Sequence, residues 1–377
     1  SMLVCLFGIS DYFQLDLLKF KVGMLEDQKF MFTSTIGNIN TYTALVGMIV
    51  AVAAVLYSTE REKKRIIFYY ICMIIGFVAI ITGISDNAYL SLAALFGLSP
   101  LYLFKDKCGI RRYLVIIATF FSVIQCIDWI NISMAGRVLE IDSAFRIIVN
   151  YSGLLYIVIG LWLVTALAYL LDYMTKKDKD ISDYKESIGG GVRLAWLVII
   201  FVIIGSGIFL LLDVNVNGNA ERYGVISNYL LFNDEWGTHR GYIWRNAIES
   251  FHAFSPFKKL FGFGPDTFGI VLLDKTKGNV YGELFDNAHN EYLHYLITVG
   301  ILGLAAYLTY LVSFVVRCIR RGCSNPCVIA AMMAVVCYST QAFVNLNLPI
   351  ATPIMWLMLT LGALGCSGNG QAKDVGN

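Results

Sequence analysis

Long apolar stretches alternate with short polar segments along most of the chain. Nine of the stretches are long enough to cross a bilayer, since about 20 helical residues span its hydrocarbon core. They lie at roughly 38–57, 66–83, 88–104, 113–130, 150–171, 194–212, 290–316, 328–345 and 350–367. Isolated glycine and proline residues inside them are compatible with membrane helices. The pattern predicts an all-α polytopic membrane protein with about nine transmembrane helices.

The composition of the chain supports this prediction. Of its 377 residues, 57% are hydrophobic and only 15% are charged, whereas soluble proteins carry about 25% charged residues. None of the nine cysteines lies between residues 213 and 289, so we expect no disulfide there. Cys323 and Cys327 lie in a basic loop without a second pair of Cys or His, so we expect no metal site.

Basic residues are concentrated in every second segment between the apolar stretches. The basic segments are 58–65, 105–112, 172–193 and 317–327. Because positively charged loops stay on the inner side, these segments are predicted to be cytoplasmic. The remaining segments are then external, namely 10–37, 84–87, 131–149, 213–289 and 346–349. Residues 1–9 would start outside and are too short to span, so we expect earlier helices to precede the sequence.

The longest external segment has features of a folded loop. We therefore divide the chain into N-terminal membrane helices (1–212), a long external loop (213–289), and C-terminal membrane helices with a cytoplasmic tail (290–377). Within the loop, residues 240–254 have the spacing of one apolar helix face, formed by Ile243, Trp244, Ala247, Ile248 and Phe251. This pattern predicts an amphipathic helix at the membrane interface that ends before Pro256.

The candidate chemistry is concentrated in the same loop. All four histidines lie in it or just after it, at His239, His252, His289 and His294. Histidine accepts protons from hydroxyl groups near neutral pH. Arginine binds phosphate and pyrophosphate, and the loop contains Arg222, Arg240 and Arg245. The loop therefore suits a reaction on a lipid-linked phosphate, although histidines also collect in loops simply because apolar spans exclude them.

Two short motifs and the charge content of the spans bear on whether the chain binds a metal, binds a phosphate or transports protons. Residues 178–180 (DKD) have the form of a metal-binding DxD motif, but they stand in a Lys-rich linker and are interpreted as a solvated charge run. Residues 262–264 (GFG) predict a tight turn, with close approach of the backbone to a phosphate as the alternative. Few ionisable residues lie deep in the spans, since Asp128 is near a span end and Asp172 is at the cytoplasmic rim. This scarcity disfavours a proton-coupled transporter.

An ordered set of motifs in and around the loop resembles the O-antigen ligase and O-antigen polymerase superfamily. The motifs are 240–244 (RGYIW), 262–264 (GFG), 286–293 (DNAHNEYL) and 300–303 (GILG). His289 and Gly300 keep the family spacing of eleven residues. Weaker similarity extends along most of the chain, where residues 37–40 (GNIN) and 341–349 resemble further family motifs.

This resemblance implies a GT-C-like membrane glycosyltransferase that is inverting, independent of metal and without a cofactor. The enzyme would move a glycan from undecaprenyl pyrophosphate to an acceptor hydroxyl on the external, periplasmic face of the cytoplasmic membrane. The acceptor would be a glycan, a lipid or a protein. By resemblance, His289 is the general base and Arg240 binds the pyrophosphate. The family's second arginine in an earlier external loop corresponds best to Arg146, with Arg137 as the alternative.

Further substrate-binding groups are implied around this pair. They are Arg245, Asp286, Asn290 and Glu291, of which Asp286 or Glu291 would orient the His289 ring. The chain departs from the family at residues 85–86 (SD), because members commonly have Ser-Arg there and the expected basic residue is missing.

Several functional alternatives remain open on the sequence. Polymerase and ligase share these motifs, and we favour a polymerase only because nothing indicates a lipid-core or protein acceptor site. A lipid-linked glycan transporter or flippase requires charged residues along a path through the spans. A non-catalytic subunit of a polysaccharide assembly complex would tolerate substitution of its external Arg and His. We expect no nucleic-acid partner.

Overall fold

The computed structural model describes residues 2–29, 31–141, 145–177, 188–322 and 324–374. Helices dominate these residues, and no β-strand occurs among them. The helices are α1 (Met2–Tyr12), α2 (Glu26–Lys29), α3 (Ile39–Thr59), α4 (Lys63–Thr82), α5 (Asn87–Leu103), α6 (Lys107–Ser133), α7 (Phe145–Val149), α8 (Leu154–Lys177), α9 (Gly191–Asn215), α10 (Ser227–Leu230), α11 (Trp236–Ala253), α12 (Pro256–Phe261), α13 (Phe268–Thr276), α14 (Glu291–Thr298), α15 (Gly300–Arg321), α16 (Pro326–Gln341) and α17 (Thr352–Asp374). The DKD motif at 178–180 and Cys323 lie outside the described residues.

Seven helical segments among the described residues are long and apolar enough to cross a membrane. They are Ile39–Thr59, Lys63–Thr82, Lys107–Ser133, Leu154–Thr175, Gly191–Asn215, Gly300–Arg321 and Pro326–Val344. Three shorter apolar helices accompany them, at Met2–Tyr12, Asn87–Leu103 and Thr352–Ser367. The prediction of an all-α polytopic membrane protein is confirmed. Two of the nine predicted spans, at α5 and α17, fall in the shorter group.

One predicted span is not continuous. The stretch 290–316 was expected to form a single helix, but the chain bends between α14 and α15. Gly300 has a φ of 71°, which lies in the left-handed region and interrupts the helix. The membrane-crossing segment therefore begins at Gly300, and α14 is a separate short helix.

The apolar side chains of α9 face away from the protein. Phe201 is 70% exposed and Ile203 is 65% exposed. Side chains of this kind are exposed at such length only where lipid surrounds them. The pattern of burial thus matches a helix at the lipid boundary.

The described residues form two compact units. The first contains Ser1–Trp196, Val316–Gln341 and Leu348–Asn377, and the second contains Leu197–Val315 and Ala342–Asn347. In the first unit, α3 packs against α4, α5 and α16, and α6 packs against α8. The division into 1–212, 213–289 and 290–377 stays a prediction.

An ion pair joins two helices of the first unit. Asp172 was expected at the cytoplasmic rim, and it lies 2.6 Å from the guanidinium of Arg111 on α6. Only 9% of the Arg111 side chain and 11% of the Asp172 side chain are exposed. Because each charge compensates the other, the pair links α6 to α8.

A buried polar cluster joins α3, α5 and α16 in the first unit. Asn87 makes four hydrogen bonds with its side-chain amide. It accepts from Thr43 Oγ1 at 2.6 Å and from Ser85 Oγ at 2.8 Å, and it donates to Asn40 O at 2.9 Å and to Gln341 Oε1 at 3.1 Å. This number satisfies the full bonding capacity of an amide. Asn40, Ser85 and Gln341, which lie in stretches that the comparison with the family motifs singles out, therefore meet around one side chain.

Replacing Asn87 by alanine is expected to lower the free energy of unfolding by about 1–3 kcal/mol, because it leaves buried donors and acceptors unpaired. Reversible unfolding in mixed detergent micelles measures this change. Leu98→Ala on the same helix is the control, since Leu98 is 38% exposed. Equal losses in the two variants would show that the polar cluster contributes nothing beyond ordinary side-chain packing.

Candidate active site

The second unit has its own hydrophobic core, built around helix α11. The buried members are Ile243, Ala247, Phe268, Leu272, Phe285, Ala288, Leu293 and Ile297. They come from α11, α13, α14 and the segment before α14. The long loop predicted from the sequence is therefore a packed structure whose side chains have fixed neighbours.

Helix α11 confirms the helix predicted at 240–254 and corrects its details. Residues 237–239 have positive φ values, so the regular helix starts near Arg240. Ile243 is 2% exposed but Ile248 is 45% exposed, so the buried face is narrower than the expected apolar face. The helix ends at Ala253, and Pro256 begins α12 rather than only terminating α11.

A short turn presents His289 ahead of α14. His289 has a φ of 45°, a left-handed conformation that is uncommon for residues other than glycine. Its backbone N–H donates to Asn287 Oδ1 at 3.0 Å. Asn290 then caps α14, because its Oδ1 accepts from the backbone N–H of Leu293 at 3.0 Å. These local hydrogen bonds fix the backbone from which the His289 ring projects.

Trp244 connects the two motifs of the site. Its indole Nε1 donates to the carbonyl oxygen of Ala288 at 2.8 Å. Trp244 stands one helical turn after Arg240, and Ala288 directly precedes His289. The hydrogen bond therefore holds the Arg240 helix and the His289 turn together.

The environment of His289 keeps its ring neutral. Burial, followed by the positive charge of Arg240, lowers the pKa of His289 to about 4, and Asp286 opposes this shift. The Nδ1 atom is buried and has no hydrogen-bond partner among the described residues. At neutral pH the ring is uncharged and keeps a lone pair available for a proton. The expected contact of Asp286 or Glu291 with this nitrogen is not made.

The other three histidines of the segment either stack on an aromatic ring or are exposed to solvent. His294 stacks on Phe268, with ring centroids 5.2 Å apart, and burial lowers the pKa of His294. His239 stacks on Tyr281 at 3.8 Å, and His252 is exposed. Among the four, His289 best combines burial with an unpartnered ring nitrogen.

The remaining predicted residues of the second unit have defined partners. Arg245 forms two hydrogen bonds with the carboxylate of Asp234, at 3.0 and 2.6 Å. Glu291 is buried and accepts from the Tyr307 hydroxyl at 2.7 Å. Asp286 is exposed and accepts from the Asn287 side chain at 2.6 Å.

Arg146 lies in the first unit on the short helix α7. It lines a cavity of about 280 Å³ together with Asp128, Asn131 and Glu140. Arg137, the alternative arginine of the same predicted loop, is exposed and does not line this cavity. Arg146 is also exposed, so the two arginines differ in that only Arg146 lines this cavity.

The glycines of the family motifs allow two backbone segments to touch. Gly262 has a φ of 80°, and a Cβ atom there would lie 2.2 Å from the carbonyl oxygen of Thr298. Phe263 and Gly264 donate their N–H groups to the carbonyls of Ile297 and Thr298, at 2.9 and 3.0 Å. The predicted tight turn is confirmed. The close approach is to the end of α14, which explains these glycines without a phosphate.

Replacing Gly300 by alanine is expected to destabilise the second unit by clearly more than the roughly 1 kcal/mol that a left-handed backbone costs a residue with a Cβ atom. The new Cβ would lie 2.4 Å from the carbonyl oxygen of Leu260 and 2.5 Å from the nitrogen of Gly262. Gly278→Ala is the matched control, because Gly278 has a φ of 70° and open space around it. Thermal unfolding and protease resistance measure both. Equal effects would rule out the close approach as the cause.

Several residues of the site escaped prediction from the sequence. Trp244 was assigned to an apolar face and to the motif at 240–244 but to no hydrogen bond, although its N–H group indicates that a partner is needed when the indole is buried. Asn287 was noted only as part of the motif at 286–293, and Tyr307 gave no signal, since its partner Glu291 is set by the packing of α14 and α15. Among the described residues, no three His, Cys, Asp or Glu side chains converge in a way that could hold a metal ion.

The fold and the site together define a multi-pass helical membrane protein with a packed segment that carries a neutral histidine beside an arginine. Residues 141–308 match the family model described as O-antigen ligase. The match covers somewhat less than half of the chain and supports the resemblance to the O-antigen ligase superfamily seen in the ordered motifs. No curated protein matches the chain. The match supports a membrane enzyme that joins glycans.

Proposed function

We propose that the protein is a glycosyltransferase that moves a glycan from undecaprenyl pyrophosphate to an acceptor hydroxyl at the external face of the cytoplasmic membrane. The observation that carries this proposal is the neutral His289, whose Nδ1 is unpartnered among the described residues and whose turn is tied to the Arg240 helix by Trp244. The match of residues 141–308 to the O-antigen ligase family supports the same reaction class.

The proposed reaction is a single displacement. Neutral His289 accepts the proton of the acceptor hydroxyl, whose oxygen attacks the anomeric carbon of the donor sugar. The bond from that carbon to the pyrophosphate oxygen breaks, and its electron pair leaves with undecaprenyl pyrophosphate. Arg240 stabilises the negative charge that grows on the leaving group. Attack opposite to the leaving group inverts the anomeric centre without a metal ion.

Binding of the donor is proposed to raise the pKa of His289. A base is most effective when its pKa lies near the operating pH. A bound pyrophosphate would bring negative charge to Arg240 and so remove the main electrostatic cause of the lowered pKa. Donor binding would thereby raise the proton affinity of His289 in the complex that reacts.

The other residues are proposed to support this pair. The family resemblance implies Arg146 as a donor-binding cation. Within the second unit, Asn290 and Glu291 hold the start of α14 next to His289. Asp286 moderates the pKa of His289 by its negative charge. Arg245 is held by Asp234 and is proposed to contact substrate only at the edge of the site.

The pH dependence of kcat/KM should reveal the unusual base. Because the pKa of His289 is lowered to about 4, the neutral base persists below the ordinary value of 6.5. We therefore expect kcat/KM to stay level from neutral pH down to about pH 5, and to fall as the ring gains a proton near pH 4. Initial rates over this range test the prediction, and an acidic limb near pH 6.5 would contradict it.

A reconstituted system separates the proposed function from its rivals. Proteoliposomes containing the protein, a lipid-linked oligosaccharide and a second glycan or lipid acceptor are assayed for a new glycosidic bond and for movement of the donor between leaflets. We expect bond formation in the wild type and its loss in His289→Ala and Arg240→Ala. Transfer that survives both substitutions would refute the assignment of His289 and Arg240 as catalytic residues. Loss of leaflet exchange without loss of transfer would indicate a transporter. Elongation of the lipid-linked glycan itself identifies the polymerase that we favour over a ligase.

A further inference from the structure

A second polar cavity lies in the first unit, in a region that the proposed reaction does not use. Its volume is about 540 Å³, within the range of about 300–1,000 Å³ that small-molecule sites usually have. The cavity is formed where α3 and α5 end and where α6 and α16 begin. The segments 58–65 and 105–112 that contribute to it are both predicted to be cytoplasmic, whereas the His289 turn belongs to a segment predicted to be external.

The acidic groups in the cavity wall are engaged by hydrogen bonds within the protein. Glu60 accepts hydrogen bonds from the backbone N–H groups of Arg61 and Glu62, at 2.7 and 3.1 Å. These bonds lower the pKa of Glu60. Asp106 caps α6 by accepting from the backbone N–H of Gly109 at 2.7 Å. Neither carboxylate is therefore fully available to a cation inside the cavity.

The basic groups are less completely satisfied. Arg112 donates to the carbonyl oxygens of Tyr57 and Glu60 and so caps the C-terminal end of α3. Arg61 and Lys105 are exposed, and neither side chain meets a carboxylate among the described residues. The Lys105 ammonium lies 4.0 Å from the centre of the Tyr102 ring, which holds it at the cavity. Two cations that meet no carboxylate among the described residues thus line the same cavity.

We propose that this cavity binds a phosphate-bearing anion through Arg61 and Lys105, and that the ligand is the headgroup of an anionic phospholipid. The cavity stands at the ends of apolar helices, which is the level at which phospholipid phosphates lie in a bilayer. Its volume exceeds what a single phosphate needs and leaves room for a glycerol headgroup. The Tyr102 ring offers an apolar wall for that part. A soluble phosphate compound shares the same chemistry and is the alternative source.

The test uses the full chain in a neutral detergent. Native mass spectrometry measures the retention of phosphatidylglycerol and of phosphatidylcholine, and the thermal midpoint is followed with each lipid and with inorganic phosphate. The double variant Arg61→Gln/Lys105→Gln should bind phosphatidylglycerol about tenfold more weakly or worse, since each cation near a membrane surface contributes about 1 kcal/mol. Lys64→Gln is the matched control, because Lys64 is exposed in the same basic segment but does not line the cavity.

Each outcome decides the proposal. A response to phosphatidylglycerol alone, lost in the double variant and kept in Lys64→Gln, supports a lipid headgroup site. A response of equal size to inorganic phosphate, lost in the same variant, keeps the anion site and overturns the lipid as its ligand. Equal weakening in Lys64→Gln, or none in the double variant, overturns the site. The unfolding midpoint without lipid shows whether the double variant folds, which two exposed side chains should permit.

Discussion

Replacing His289 by asparagine should lower kcat of glycan transfer by about 10²–10⁴-fold, the usual contribution of a general base. Asparagine is chosen because it tolerates the left-handed backbone at this position, where φ is 45°. The change removes the imidazole while sparing the turn that caps α14. Initial rates in proteoliposomes, measured over a range of donor concentrations, should show little change in KM.

His252→Asn is the matched control for this substitution. His252 lies near the end of the same helix as Arg240 and is exposed, so its loss should leave the rate within about twofold of wild type. If the His289 variant kept more than about a tenth of the wild-type kcat, the ring would not be the base, since that loss falls short of proton-transfer catalysis. An unchanged thermal midpoint would confirm that both variants fold.

Replacing Arg240 by glutamine should lower kcat by about 10²–10³-fold, because a positioned donor is lost from the leaving group in the transition state. It should also shift the pH profile. The charge of Arg240 lowers the pKa of His289, so its removal raises that pKa and moves the acidic limb of kcat/KM upward. The limb should stay below pH 6.5, because burial is the larger cause of the lowered pKa.

Two further variants make the Arg240 prediction specific. Arg240→Lys keeps the charge but loses the planar fork, so it should restore the pH profile and only part of the rate. Arg222→Gln removes a positive charge from the same segment, where the Arg222 side chain is 68% exposed, and should leave the rate nearly unchanged. A wild-type pH profile in Arg240→Gln would contradict electrostatic coupling between Arg240 and His289.

The helices were largely predictable because their signal is local. About 20 consecutive apolar residues must form a helix in lipid, since no water is present there to bond the backbone. The interruption at Gly300 was missed because its cause is distant in sequence. Gly300 adopts its left-handed conformation where it packs against Leu260 and Gly262. The apolar pattern of residues 290–316 does not indicate that contact.

The residues of the candidate site were proposed from residue types and their order along the chain. Motif spacing indicated Arg240 and His289, and the helix around Arg240 followed from its apolar period. The buried face of that helix was only partly right, since Ile248 is exposed. Burial depends on which elements pack alongside, and here α13 and α14 contact α11.

Residues 85–86, where the basic residue of the family motif is missing, also show what the sequence and the structure each reveal. From the sequence, Ser85 was only a departure from the family motif. In the structure Ser85 is buried and donates to Asn40 Oδ1 at 2.6 Å and to Asn87 Oδ1 at 2.8 Å. A serine therefore suits the position, because a charged side chain would need a partner in this buried cluster.

By itself, the sequence determined the membrane class, most of the helices, and the arginine and histidine on which the proposed chemistry rests. These properties depend on local hydrophobicity and on residue order, which the chain carries directly. Only the tertiary structure decided that His289 is neutral, that Trp244 holds it to the Arg240 helix, and that its Nδ1 has no partner among the described residues. Burial, charge proximity and hydrogen bonding arise from residues far apart in sequence, so they exist only once the chain has folded.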